Sequence, residues 1–215
     1  MPQVFPRSAN YLARGSLLLV ILLPALVIGS LYAANDSSYV DREGVVREQP
    51  IPFSHKHHAG ALGIDCRYCH TSVEESSYAG IPPTHTCMSC HSQVWNKTDT
   101  LEPVRESYAK GENLEWNRVH DLPDYVHFNH SIHVSKGVGC ESCHGRVDKM
   151  PLVHLDNALH MSFCLDCHRN PAEHLRPRDE ITTMGYEPEN QQALGQRLIE
   201  EYDVNPQDHC YTCHR

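Results

Sequence analysis

Large aromatic side chains are scarce in this sequence: four Phe and two Trp among 215 residues, against fourteen Pro, twelve Gly and seventeen His. That is little material for an ordinary apolar core, so something other than side chains must fill a globular interior. An excess of positive charge is missing as well. Eighteen Lys and Arg face 27 Asp and Glu, a net charge of −9, which argues against a nucleic-acid partner. Cysteine outside one pattern is lacking too. All ten fall into five Cys-x-x-Cys-His units: Cys66/Cys69/His70, Cys87/Cys90/His91, Cys140/Cys143/His144, Cys164/Cys167/His168 and Cys210/Cys213/His214.

A disulfide framework gives no reason for a His after every second Cys, and zinc sites built from paired Cys-x-x-Cys units do not ask for one either. Five units that use every cysteine read as covalent c-type haem attachment, with two thiols for thioether bonds and the adjacent imidazole for the iron. The expected core is therefore five c-type haems. The expected fold is mainly α with extensive loops, a haem-packed multihaem cytochrome with one N-terminal transmembrane helix.

Residues 1–14 carry Arg7 and Arg14 and no acid, and 15–35 follow without a charge, rich in Leu, Val, Ile and Ala. A membrane-crossing helix needs about 20 such residues, and Pro24 is a kink that membrane helices tolerate. A cleaved signal peptide is the alternative, with Tyr32-Ala33-Ala34 near a cut, but the run exceeds the usual apolar region of about 7–15 residues. A retained anchor is expected. Basic residues before the span and acids from Asp36 onward put residues 1–14 in the cytoplasm and the haem domain in the periplasm. Residues 36–52 read as a polar tether, and 53–215 as the haem domain.

Within that domain the chain repeats itself. Phe53-Ser54-His55 with His58 recurs as Phe128-Asn129-His130 with His133; from His55 to His130 is 75 residues, from Cys66 to Cys140 is 74, and from Cys87 to Cys164 is 77. Residues 53–99 and 120–174 form two modules, each Phe-x-His-x-x-His followed by two haem motifs, and 175–215 carry the fifth motif alone. Thr100 is expected to cap a linker helix with Pro103 in its first turn and Gly111 at its end. A helix is also expected over 150–163, limited at its start by Pro151, and another after Pro188 on the spacing of Leu194, Leu198, Ile199 and Tyr202.

Five irons with two axial ligands each need five more ligands beyond His70, His91, His144, His168 and His214. His55, His58, His130 and His133 repeat with the modules and precede motifs at similar spacing, so they are the expected distal ligands. For the fifth, Met184 in the loop between the fourth and fifth motifs is favoured, with His120 and Met150 as alternatives. A Met ligand would raise the potential of one haem above its bis-His neighbours.

Phe-x-His-x-x-His followed by Cys-x-x-Cys-His resembles the small multihaem cytochromes of class III, in which the first His serves the haem that follows and the second serves another. That resemblance implies that His55 faces His70, that His130 faces His144, and that His58 and His133 reach the haems of His91 and His168. The whole chain resembles the membrane-anchored pentahaem cytochrome c subunit of bacterial alternative complex III. The residues that carry this are Leu62-Gly63-Ile64-Asp65 before Cys66, Pro82-Pro83-Thr84 before Cys87, Leu122-Pro123-Asp124-Tyr125, Cys164-Leu165-Asp166-Cys167-His168-Arg169 and the single N-terminal span. It implies an electron-transfer subunit, not itself catalytic, that relays electrons from iron–sulfur centres to a periplasmic carrier. Its implied partners are an iron–sulfur subunit, polysulfide-reductase-like integral membrane subunits and a monohaem cytochrome or other periplasmic acceptor. Two other readings compete. A single-helix quinol dehydrogenase would feed a periplasmic reductase, and a catalytic multihaem reductase would need an iron with an open position, whereas here the available distal ligands exceed the demand.

Overall fold

The computed structural model describes residues 4–214. These divide into two compact units, one through Arg42 and one from Glu43 onward. In the first unit, α1 (Ala9–Asn35) is one continuous 27-residue helix with Pro24 inside it, and none of its residues is buried. At 1.5 Å per residue it is about 40 Å long, enough to cross a bilayer. Its exposed Leu, Val and Ile side chains are what a helix presents to lipid, where backbone groups must be satisfied within the helix. A short turn, α2 (Ser38–Asp41), follows.

The second unit contains helices, turns and loops but no strand among the described residues; only two isolated bridges occur, Glu43 with Leu155 and Val138 with Leu175. The haem motifs themselves form short helices: α3 (Cys66–Cys69), α4 (Thr84–His91), α7 (Glu141–His144), α8 (Met161–Arg169) and α10 (Cys210–Cys213). Between them lie α5 (Glu102–Lys110), α6 (His130–Ser135) and α9 (Gln191–Glu201). The linker helix α5 ends at Gly111 in the left-handed conformation, as a C-terminal glycine should. Its start differs from expectation: a 3-10 turn over Asp99–Leu101 precedes it, so Leu101 rather than Thr100 stands at the N-cap. The helix anticipated from residue 150 begins only at Met161, because Pro151 and the loop after it break the pattern. In α9, Asn190 caps the start by accepting from Ala193 N–H, and Leu198 faces inward. Lys136 Nζ donates to the Tyr202 and Asp203 carbonyls at 2.8 Å each, placing a cation at the carbonyl end of α9.

Residues 43–51, which read from sequence as tether, are strapped to the body. Gln49 and Asn117 exchange hydrogen bonds at 2.8 and 3.0 Å, Arg47 donates to Arg118 O, Gly44 N–H donates to Leu155 O, and Ile51 is buried. Among the described residues of the unit, the buried apolar side chains are Ile51, Val104, Met150, Ala172, Leu175, Ile181 and Leu198. Seven such residues are too few to hold a domain of this size on their own, which agrees with a core completed by prosthetic groups.

Candidate haem-binding sites

The sequence repeat is a repeat in space. Phe53 stands edge-on to His55 (4.9 Å, 88°) and flat on His58 (4.5 Å, 22°); Phe128 does the same to His130 (4.7 Å, 89°) and His133 (4.5 Å, 28°). The phenyl ring is a wedge that fixes the angle between two imidazoles. Each second His is fixed again by its own turn: Nδ1–H of His58 donates to Ser54 O at 2.9 Å, and that of His133 to Asn129 O at 2.7 Å.

The first module spans one more residue between its histidines and its Cys pair than the second. That residue is absorbed in a π-helical turn, Lys56–Ala61, where the second module has the α-helical α6. The following bonds then match: Ile64 N–H donates to His58 O and Val138 N–H to His133 O, both at 3.0 Å, and each delivers the chain to the residue two before a Cys.

Three histidine pairs face each other. Ring centroids are 6.1 Å apart for His58 and His91, 6.3 Å for His130 and His144, and 6.1 Å for His133 and His168. Two imidazoles bound to opposite sides of one metal ion through bonds of about 2 Å would have centroids roughly 6 Å apart. His55 and His70 are electrostatic neighbours. The motif imidazoles are oriented by backbone carbonyls that sequence reading did not single out: His70 Nδ1–H donates to Gly80 O (2.7 Å), His91 to Val94 O (3.0 Å), His168 to Gln207 O (2.7 Å) and His214 to Tyr125 O (3.2 Å). An Nδ1–H held this way leaves Nε2 with its lone pair free for a metal. No sequence pattern marks these acceptors, since any residue supplies a carbonyl.

Charge state agrees. Burial, helped by neighbouring imidazoles, pushes His144 down to about 3 and His55 and His120 to about 4, so all three are neutral at pH 7, the form that binds a metal. Burial raises the Cys143 and Cys167 thiols to about 11. All ten cysteines are free rather than joined as disulfides. Facing imidazoles with Nε2 available, beside free thiol pairs, fit covalently bound haem.

No protein-family model matches the chain. The multihaem cytochrome c subunit of menaquinone reductase from Nitratidesulfovibrio vulgaris is 37% identical over 115 residues, 52% of this chain and 54% of that protein. Cytochrome c-552 of Porphyromonas gingivalis is 26% identical over 144 residues, 55% of this chain and 25% of that protein. The chain has the fold of a multihaem c-type cytochrome. It spans about half the length of the first relative and a quarter of the second.

The remaining candidates for axial ligation in this cytochrome fold fall in different places. Met184 is flanked by residues tied to the third motif: Gly185 N–H donates to Glu141 Oε2 at 2.6 Å, and Thr183 O accepts from Arg176 at 2.9 Å. His214 is instead backed by Tyr125, whose ring lies 5.9 Å from its own. Met150 is buried, its carbonyl accepting from Lys56 N–H at 3.0 Å. His120 lies 4.2 Å from the His144 ring, with its Nε2 buried and without a hydrogen-bond partner; His55 Nδ1 is in the same condition. His57, outside the repeat, stacks on Trp95 at 5.6 Å.

Proposed function

We propose that the chain is an electron relay: five c-type haems attached at the five Cys pairs, with His70, His91, His144, His168 and His214 as proximal ligands and His55, His58, His130 and His133 as distal ones. The observation that carries this reading is the set of three imidazole pairs about 6 Å apart, each joining a repeat histidine to a motif histidine. Bound haem supplies one-electron chemistry. The chain's own work is to close the irons to other ligands, hold each imidazole by its Nδ1–H and set burial, which together tune potential. Irons closed on both faces pass electrons and do not bind substrate, so the chain is not catalytic by itself. The fifth distal ligand is open between Met184, His120 and Met150.

In this reading α1 anchors the chain as a single pass with the haem domain in the periplasm, as a subunit of a quinol-oxidising complex of the alternative complex III type. Electrons would come from an iron–sulfur subunit associated with polysulfide-reductase-like membrane subunits and leave to a monohaem cytochrome or similar carrier. A second reading is favoured by the relative named for menaquinone reductase: the same relay run toward the quinone.

The test is the tagged chain purified from its native membrane. Alternative complex III predicts co-purifying iron–sulfur and integral membrane subunits, quinol oxidation by the complex, and negligible turnover by the isolated chain. Menaquinone reduction by the complex selects the second reading. A five-coordinate, high-spin signal in the isolated chain, detected by electron paramagnetic resonance together with nitrite or hydroxylamine turnover, overturns the relay.

A further inference from the structure

The motifs touch one another in an order that differs from the order of the chain. Tyr68, between the two cysteines of the first motif, shares a 2.9 Å hydrogen bond with Ser89, between those of the second, and the Cys69 thiol neighbours Cys87 and Cys90. On its other side the first motif meets the third. The Cys66 and Cys140 thiols are neighbours, and residues 181–182 clasp both motifs, with Thr182 donating to Asp65 at 2.9 Å and Ile181 O accepting from Cys140 N–H at 3.0 Å. The Cys143 thiol neighbours Cys164 and Cys167 of the fourth motif. The fourth meets the fifth, where Cys164 neighbours Cys213, the segment leading into the fifth motif supplies the Gln207 carbonyl to His168, and Asp208 pairs with Arg169 at 3.7 Å.

We propose that the five haem sites stand in one row in the order second, first, third, fourth, fifth, so that the two modules meet head to head through their leading motifs and the row ends at the second and fifth. This rests on the reading of the five motifs as haem sites. Exposure agrees with the ends: Cys90 and Cys210 are exposed, while the six cysteines of the first, third and fourth motifs are partly covered. Each end also shows water an aromatic side chain, Trp95 beside His91 and Tyr211 between Cys210 and Cys213. Electrons that enter at one end cross the module joint at Cys66 and Cys140, and the second motif is a terminus although it is second in the chain.

The experiment uses the anchored, haem-loaded chain in detergent. Intact mass first counts the haems; fewer than five overturns the site reading itself, whatever their order. Redox titration then compares Cys87→Ala/Cys90→Ala, which removes an end, with Cys140→Ala/Cys143→Ala, which removes an interior member. Loss of a charged neighbour shifts the midpoint of each haem beside it. One remaining component should shift in the first variant and two in the second; two or more in the first, or only one in the second, overturns the row. Should either variant fail to fold, an experimental structure of the unaltered haem-loaded chain decides. The row requires first-to-third to be shorter than second-to-third between irons, and the reverse overturns it.

Discussion

Phe53 and Phe128 hold their histidines at nearly the same distances and angles, yet the two modules around them are built differently. In the second, Gly137, Gly139 and Gly145 are buried, Arg176 lies over the motif, and α9 packs alongside. His130 Nδ1–H donates across to Ser77 O of the first module at 2.8 Å. In the first, His55 Nδ1 has no partner, and the second motif runs out to the exposed Cys90 and Trp95. The repeated wedge fixes where imidazoles point, and the surroundings fix how dry each site is. Dryness is one of the levers on haem potential, so matching ligand sets in the two modules should still give unequal potentials.

Removing the wedge should break the comparison most. Phe128→Ala should cost about 3 kcal/mol, within the usual range for Phe truncation, and disturb the low-spin signals of both the third and fourth motifs. Phe53→Ala should disturb the first and second but cost less stability, because its module is more exposed. Denaturant unfolding and electron paramagnetic resonance of the haem-loaded chain measure both, and equal stability losses would show that the surroundings do not matter.

The next largest effect separates two arginines. Arg176 is buried; it donates to Thr183 O, lies 3.9 Å from Glu141 and sits over the Tyr186 ring at 5.5 Å. Arg176→Ala leaves Glu141 and a carbonyl short of a partner and should cost about 2 kcal/mol. Arg67, the cation between the first two motif cysteines, is 44% exposed in its pair with Asp65, and Arg67→Ala should cost under about 1 kcal/mol. Thermal unfolding of the two variants side by side checks the ratio.

The Phe-x-His-x-x-His repeat, the five Cys-x-x-Cys-His units and the long apolar N-terminal helix could be read from the residues because each depends on side-chain identity at fixed spacing or over a continuous run. The tether could not. Residues 43–51 are polar in composition, but Gln49 and Asn117 bond through amide and backbone groups whose pairing leaves no periodic trace. Nor could the row: Tyr68 and Ser89 meet because α3 and α4 pack, a tertiary fact that the spacing of the two motifs does not encode. Met184 shows the same limit, since a position between two motifs in the chain says little about which of them the loop folds onto.

A smaller effect sharpens the contrast at acid pH. The hydrogen bond from Arg67, with help from Thr182, holds the Asp65 carboxyl down to about 2, below its ordinary 3.8. A depressed carboxyl contributes stability above its ordinary value and loses it as pH falls toward the folded one. Above pH 5 Arg67→Ala should therefore be less stable than the parent by a constant offset, and that gap should close as pH falls from 4 to about 2, where the parent loses the contribution the variant already lacks. Acid titration followed by the Soret band distinguishes this from a change at every pH.

The smallest expected effect is the most specific to the repeat. Deleting a residue from a helix normally rotates everything after it by about 100°. The π turn at Lys56–Ala61 holds one residue more than the α-helical turn at the same place in the second module, and Ala61 is exposed. Removing Ala61 should let the turn close as an α-helix, keep His55 and His58 on their faces, and preserve the bond that delivers the chain to Cys66. The variant should bind as many haems as the parent and keep the low-spin signals of the first and second motifs. Deleting Val134 from α6, where no extra residue exists, should abolish those of the third and fourth. Haem loss in the Ala61 deletion would mean that the π turn itself sets the register of His58 toward His91, and that the two modules reach the same wedge by routes that cannot be exchanged.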